Sequence, residues 1–464
     1  MKSGEPVTEQ PGQADAPSAP AGDATPAAPE EDRPATYREV FAAREFRFVF
    51  SASLLSWLGD FLARVALAAL VYSRTRSVLA SAATLAISYV PWIVGGPVLS
   101  ALAERYPYRR VMIVCDAGRM VLFGVLAIPG VPVPVLLVVL FVASMMAPPF
   151  ESARSALLPQ LLSGDRYVVG LSVHNLARQI TQVCGYALGG LLSVLDPRLA
   201  LSVDAATFGL SALLLWVFVR PRPAALSSAR RSHLLRETAE GFQVVFGTPV
   251  LRAIAVLVFG SVVFSIVPEG LAAGWSGELN GDSFTQGLIM AAFPVGVVVG
   301  GIVVGRTIAP STRQRIIRPL AVLGPLSLVP SLLSPPLPLV ILMVTVCGFA
   351  MSLVLPANGL FVQALPNGYR ARAFGVMQGG LQVLQGLSMV VAGAVAGTLG
   401  VARTVGATGL LGLVVMVALS VLWPDRDALD GAIQQAKTAN EADAIRTGQG
   451  VTGQSAGVAR SSTA

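Results

Sequence analysis

The chain has 464 residues, of which 54% are hydrophobic and 13% charged, with a formal net charge of +7 and only two histidines. An average soluble domain carries about 25% charged residues, so this composition excludes an ordinary soluble enzyme. It points to a membrane protein whose apolar blocks, each about 20 residues long, match a ~30 Å hydrocarbon core.

Residues 1–40 are rich in Pro, Ala, Gly and acidic side chains and hold no apolar run, which predicts a disordered cytoplasmic tail without the pattern of a signal peptide. Apolar blocks then begin near Phe46, Val78, Val111, Val135, Leu171 and Leu201, placing a first six-helix bundle over 41–220. An arginine-rich stretch, 221–248, reads as a cytoplasmic linker loop. A second bundle follows over 249–423, its blocks starting near Leu251, Phe284, Pro319, Leu339, Ala373 and Thr404. The remainder, 424–464, reads as a cytoplasmic tail whose first part, from Asp425 to about Arg446, can form a surface helix. The expected fold class is therefore an all-α polytopic membrane protein with twelve transmembrane helices in two six-helix repeats.

The connections alternate in arginine. Sixteen lie on one side (Arg105, Arg109, Arg110, Arg154, Arg166, the groups from Arg220 to Arg236 and from Arg306 to Arg318, Arg370 and Arg372) against four on the other (Arg74, Arg76, Arg198 and Arg403). Positive charge is retained on the cytoplasmic side, so both termini are expected there, in a cell inner membrane. The same placement assigns the net charge to topology and not to nucleic-acid binding. Cys115, Cys184 and Cys347 fall inside apolar blocks without metal-ligand spacing and read as packing residues, so no cofactor and no metal is implied.

Three markers repeat at nearly one offset. Pro149 and Pro159 recur as Pro356 and Pro366, Gly95-Gly96 as Gly300-Gly301, and the stripe Asn175, Gln179, Gln182 as Gln378, Gln382, Gln385. The shifts of 207, 205 and 203 residues suit a parallel internal repeat about an axis along the membrane normal. Each amide stripe lies at i, i+4, i+7 on one helix face and reads equally well as cavity lining or as interhelical hydrogen bonding.

The connection after the second block reads Ser100-Ala-Leu-Ala-Glu104-Arg105-Tyr-Pro107-Tyr-Arg109-Arg110. It resembles the signature loop of the major facilitator superfamily, with Ser100 and Pro107 in place of its two glycines and Glu104 in place of its aspartate. The second half keeps the basic residues from Arg306 to Arg315 but has Ala309 at the acidic position. Further runs, Leu58-Gly59-Asp60, Cys115-Asp116 with Arg119, Ser152 to Pro159 and Val203-Asp204-Ala205, resemble the branch of the enterobactin exporter and the macrolide efflux proteins.

That resemblance implies alternating access, with a cytoplasmic gate formed by Ser100, Glu104, Arg105, Arg109, Arg110, Asp116 and Arg154. It also implies a cavity lined by the first, fourth, seventh and tenth helices: Asp60 and Arg64, Met145, Met146 and Phe150, Phe264, Asn358 and Phe361. Asp60 lies near the middle of the first helix with Arg64 one turn on, so the two can pair and serve proton coupling. Asp116, Glu151 and Asp204 sit nearer helix ends and favour structural or gating salt bridges. Glu269 is expected near the outer end of the seventh helix, in reach of water, and His174 reads as a satisfied polar residue or a proton relay.

The chain holds two lysines, and Gly431 to Thr438 misses the phosphate loop because Ala436 replaces its second glycine, which argues against an ATP-driven pump. His174 and His233 stand apart from other ligand types, which argues against an intramembrane enzyme. The expected function is a secondary transporter, a monomer in the lipid bilayer. It would export a small amphipathic organic molecule (a drug, siderophore or other natural product) by proton antiport. A proton-coupled uptake symporter and a non-transporting sensor or scaffold are the alternatives.

Overall fold

The computed structural model describes residues 35–94, 105–222, 234–308 and 310–446, and among them every regular element is helical. The first half comprises Arg44–Thr75, then Val78–Ile87 continued by Val90–Val94, Tyr108–Leu126, Val133–Ser144 continued by Ala147–Leu161, Asp165–Leu195 and Pro197–Phe218. The second half comprises Pro249–Ser265 continued by Val267–Glu278, Ser283–Thr307, Ile317–Leu328, Leu337–Ala350 continued by Val354–Gln363, Arg370–Leu399 and Val401–Val421. These are numbered below as the first to twelfth helices. Each begins at the apolar block read from the sequence or a few residues before it, because a helix extends its first turn beyond the hydrocarbon with residues such as Arg44, Tyr108, Asp165 and Arg370.

Among the described residues, eight helices are long and apolar enough to cross a membrane by length and composition alone, and Val78–Trp92 and Ile317–Leu333 are shorter apolar helices. The third and fifth escape such a count because Asp116 and Arg119, and Asp165, Arg166 and Arg178, dilute their apolar content.

Two stretches expected to lack structure are helical. Tyr37–Ala42, overlapping the end of the anticipated tail, packs Val40 against Phe46, Leu158 and Leu162. Leu234–Gly247, inside the anticipated linker loop, is an amphipathic helix that buries Val245 with the second half and pairs Glu240 with Arg372 at 2.8 Å. In both cases the apolar side chains are too few to show as a block but enough to cover one neighbouring helix. A further helix, Arg426–Arg446, lies beside the second half, where the Asn440 side chain accepts the Asn367 N–H at 2.7 Å. Gly95, Gly96, Ser100, Glu104 and Ala309 lie outside the described residues.

Proline breaks fall where they shape the interior. The fourth helix turns at Met145-Met146 ahead of Pro148 and Pro149, the seventh at Ile266 ahead of Pro268, and the tenth through the turn Met351–Leu353 ahead of Pro356. Each proline lacks an N–H and crowds the carbonyl four residues back, so the rod bends there.

The apolar cores show how the halves meet. One cluster joins Trp57, Phe61, Leu85, Tyr89 and Tyr186 of the first half with Ile266, Leu271, Trp275, Ile289 and Met389 of the second. At the end that carries Tyr37–Ala42 and Arg426–Arg446, the terminal end, the clusters stay separate, one around Met112, Phe150 and Leu157, the other around Leu251, Leu360 and Phe361. Among the described residues the halves are thus packed together at the far end and parted at the terminal end. At the packed end Gly190 of the fifth helix meets Gly287 of the eighth. A Cβ on Gly287 would stand 2.6 Å from the Tyr186 carbonyl oxygen and 2.9 Å from the Gly190 Cα, so only glycine lets the backbones come this close. The eighth helix is started there by Asp282, whose carboxylate accepts the Thr285 N–H at 2.9 Å; that bond holds the carboxyl below its ordinary range.

Candidate functional site

A cavity of about 480 Å³ separates the halves at mid-height. The first helix supplies Trp57, Asp60, Phe61 and Arg64, which share one face at i, i+3, i+4 and i+7. Across the cavity the fifth helix presents Asn175, Arg178, Gln179 and Gln182, and the eleventh presents Gln378, Gln382 and Gln385. Arg178, Glu151, Trp92 and Gln378 also border a second recess of about 450 Å³ with Tyr108 and Pro148, so the cavity continues along the second, fourth and fifth helices.

Three polar clusters stand on its walls. In the first, Arg119 is buried between two carboxylates, Asp116 at 2.7 Å and Asp60 at 3.3 Å, with its guanidinium over the rings of Phe150 and Phe208. Asp116 is fully buried and accepts hydrogen bonds from Ser56 at 3.1 Å and Ser211 at 2.5 Å, while the Asp60 side chain is 33% exposed to the cavity. One buried cation therefore serves two acids that differ in access to water. Asp204 lies fully buried beside Gly59 on the same side of the first helix.

The second cluster bridges the halves. Arg64 reaches Glu269 of the seventh helix at 3.6 Å and donates to the Tyr89 hydroxyl at 3.3 Å. Glu269 also accepts from the Tyr186 hydroxyl at 2.8 Å, and Gln182 donates to that hydroxyl at 3.3 Å. Side chains of the first and fifth helices converge on this carboxylate of the seventh, with Tyr89 of the second helix joined through Arg64, on the packed side of the cavity. Gln286 adds a further bond between the halves, donating to the Val65 carbonyl at 3.1 Å.

The third cluster lies toward the terminal end. Glu151 accepts from Trp57 Nε1 at 3.0 Å and from Arg154 Nε at 3.1 Å, and pairs with Arg154 Nη2. Arg154 also meets His174 Nε2, which must accept because a guanidinium only donates. The Trp57 indole lies edge-on to His174 at 4.5 Å, with the guanidinium groups of Arg154 and Arg178 over its ring at 5.4 and 5.8 Å.

The architecture, two six-helix units around one central cavity, is matched by the comparisons. The profile described as Major Facilitator Superfamily matches residues 49–358. The chain belongs to this superfamily. It is 26% identical over 379 residues to the multidrug efflux pump Tap of Mycolicibacterium fortuitum, covering 77% of this chain and 90% of the relative. It is 27% identical over 209 residues to the uncharacterized MFS-type transporter YfiS of Bacillus subtilis (strain 168), covering 44% and 49%. Among solved structures, a bacterial homologue of the human lysosomal transporter Spinster superimposes with a TM-score of 0.64 at 14% identity over 84% of this chain and 98% of that one. The nucleoside transporter NupG gives 0.60 at 16% identity, covering 81% and 98%. The protein is accordingly a multi-pass membrane transporter of the major facilitator type and not an enzyme.

In this major facilitator protein nine of the anticipated site residues line the cavity and the other described ones do not. Asp60, Arg64, Phe150 and both amide stripes line the cavity. The anticipated Asp60 and Arg64 pair is replaced: Asp60 pairs with Arg119 and Arg64 with Glu269, because the arginine extends along the helix toward the second half. Glu269, expected near water, is 5% exposed, since the break at Ile266 turns it into the interface. Phe264 and Phe361 point into the core of the second half, against Gly412 and Phe374 respectively, and Met146 turns against Gly118. Met145 and Asn358 are absent from the lining.

Of the gate residues, Arg105 and Arg110 are exposed, and Arg109 donates to the carbonyls of Leu215, at 3.2 Å, and Trp216 in the last turns of the sixth helix. Asp116 and Arg154 find their partners within the first half. Ser100 and Glu104 lie outside the described residues. Arg178 and Trp57 were missed from sequence, although Arg178 falls in phase with Asn175 and Gln182, and Trp57 with Asp60 and Arg64.

Proposed function

We propose that this transporter exports a small amphipathic organic molecule by alternating access in exchange for protons, from a cell inner membrane in which both termini face the cytoplasm. The observation that carries this reading is the cavity: both halves line it, it is parted at the terminal end, and Asp60 reaches it from an arginine that holds a second carboxylate. Protonating Asp60 leaves Arg119 matched one to one with Asp116, so the cavity acid can gain and lose charge without stranding a buried cation. Trp57, Phe61, Tyr89, Phe123 and Phe293 supply soft, flat surface for an organic body. The efflux pump Tap is a relative that supports the direction, and the arginine distribution supports the sidedness.

In alternating access the Arg64, Glu269 and Tyr186 contact belongs to the state closed at the far end and parts in the other. The test uses inside-out vesicles holding an acidic lumen and the fluorescent dye tetramethylrhodamine outside. The parent protein is expected to accumulate dye. Asp60→Asn is expected to abolish gradient-driven accumulation while still exchanging dye across vesicles without a gradient; accumulation at the parental rate refutes Asp60 as the coupling group.

A further inference from the structure

Arg178 differs from the other arginines of the cavity in acting on Glu151 and Asp60 only from beyond salt-bridge range. Arg64 is matched by Glu269, Arg119 by Asp116 and Asp60, and Arg154 by Glu151. Arg178 is exposed on the cavity wall, and among the described residues its contact is the Trp57 ring, with no carboxylate in salt-bridge range. Its neighbour Glu151 is committed to Arg154 and Trp57, so the third cluster carries one acid for two arginines and leaves one positive charge facing the open space.

The surrounding groups are arranged to the same end. Asn175 and Gln179 flank Arg178 on its own helix face, Gln378, Gln382 and Gln385 face the cavity from the eleventh helix, and none of these five amides has a partner in the protein among the described residues. Arg178 borders both the central cavity and the adjoining recess, so a molecule moving between them passes it.

An unpaired guanidinium is tolerable in a cavity filled with water. Once an organic body displaces that water, the cation loses its solvation unless the incoming molecule supplies acceptors, and a ligand without them is penalised by the unmet donors. The planar fork, held flat over an indole, matches the two oxygens of a carboxylate or a phosphate ester.

We propose that Arg178 receives an anionic group of the transported molecule, whose organic body lies against the two amide rows. The substrate class is thus an amphipathic molecule bearing an acid. This rests on the cavity being the transport site, and deepens that reading by naming what selects the cargo.

The experiment compares tetramethylrhodamine, which bears a carboxylate, with tetramethylrhodamine methyl ester, which has the same body and no free acid. Binding of each to the purified full chain in detergent is followed by fluorescence anisotropy for the parent, Arg178→Gln and Arg178→Lys. The parent should prefer the acid by on the order of tenfold. Arg178→Gln should remove that preference by weakening acid binding while ester binding holds or tightens as the unmet donors are lost, whereas Arg178→Lys, which keeps the charge without the fork, should retain part of it. Equal preference in the parent, or equal weakening of acid and ester by Arg178→Gln, overturns the assignment and leaves export untouched. Failure of both dyes to bind overturns it together with the reading of the cavity on which it rests. Unchanged gradient-driven uptake by Asp60→Asn would instead fail the coupling scheme alone.

Discussion

Neutralising Glu269 tests the contact that holds the halves together at the far end. Arg64 and Glu269 stand 3.6 Å apart, with side chains 25% and 5% exposed. At an effective dielectric of about 20 their attraction is roughly 5 kcal/mol, of which desolvation and side-chain ordering cancel more than half. Glu269→Gln keeps an acceptor for the Tyr186 hydroxyl, now 2.8 Å from Glu269, so the loss is mainly of the charge. A net ~2 kcal/mol against the state closed at this end corresponds to a shift of roughly 30-fold in the equilibrium between states. Spin labels at Leu195→Cys and Leu333→Cys, exposed positions at the ends of the fifth and ninth helices, report that equilibrium as a distance distribution, once Cys115, Cys184 and Cys347 are replaced. Glu269→Gln should move population to longer distances. An unchanged distribution in a folded protein would mean that apolar packing alone closes this end.

The glycine approach beside this contact makes a second prediction with the same labels. Gly287→Ala places a Cβ against the Tyr186 carbonyl and the Gly190 backbone, neither of which can rotate away, so it should also favour longer distances, at a cost of about 1–3 kcal/mol; Gly301→Ala, whose Cβ meets only Leu355 at 4.0 Å, is the matched control and should change nothing. At the end of the seventh helix Glu278 accepts the N–H groups of Val401 at 2.5 Å and Ala402 at 2.9 Å, capping the twelfth helix with a negative charge. Glu278→Gln should cost about 1 kcal/mol and lower the melting temperature by roughly 2 °C, with faster amide exchange at Val401 and Ala402; unchanged exchange there would show the cap to be idle.

Much of this protein was legible without a structure because the bilayer is a simple solvent. It demands apolar runs of a set length, and that is a local property of the chain. The amide rows Asn175, Gln179, Gln182 and Gln378, Gln382, Gln385 were legible for a related reason: helical periodicity puts each row on one face, and polar side chains in a membrane helix face protein or cavity. The helices Tyr37–Ala42 and Leu234–Gly247 were missed because they lie outside the hydrocarbon, where no length rule applies.

Pairing was beyond the reach of spacing. Asp60 and Arg64 are one turn apart and could have met, yet a flexible arginine takes whichever carboxylate the fold brings nearest, and that is set by helices far away in the chain: Arg119 for Asp60, Glu269 for Arg64. The break at Ile266 turned Glu269 inward, and the bend at Met145-Met146 took Met146 out of the lining. By itself the sequence determined the number and order of the helices, the repeat, and which faces are polar, because hydrophobicity and helical period act within one segment. Only the tertiary structure decided which charges come within salt-bridge range of one another and that Arg178, among the described residues, has no carboxylate in that range, because those distances depend on side chains drawn from every helix around the cavity.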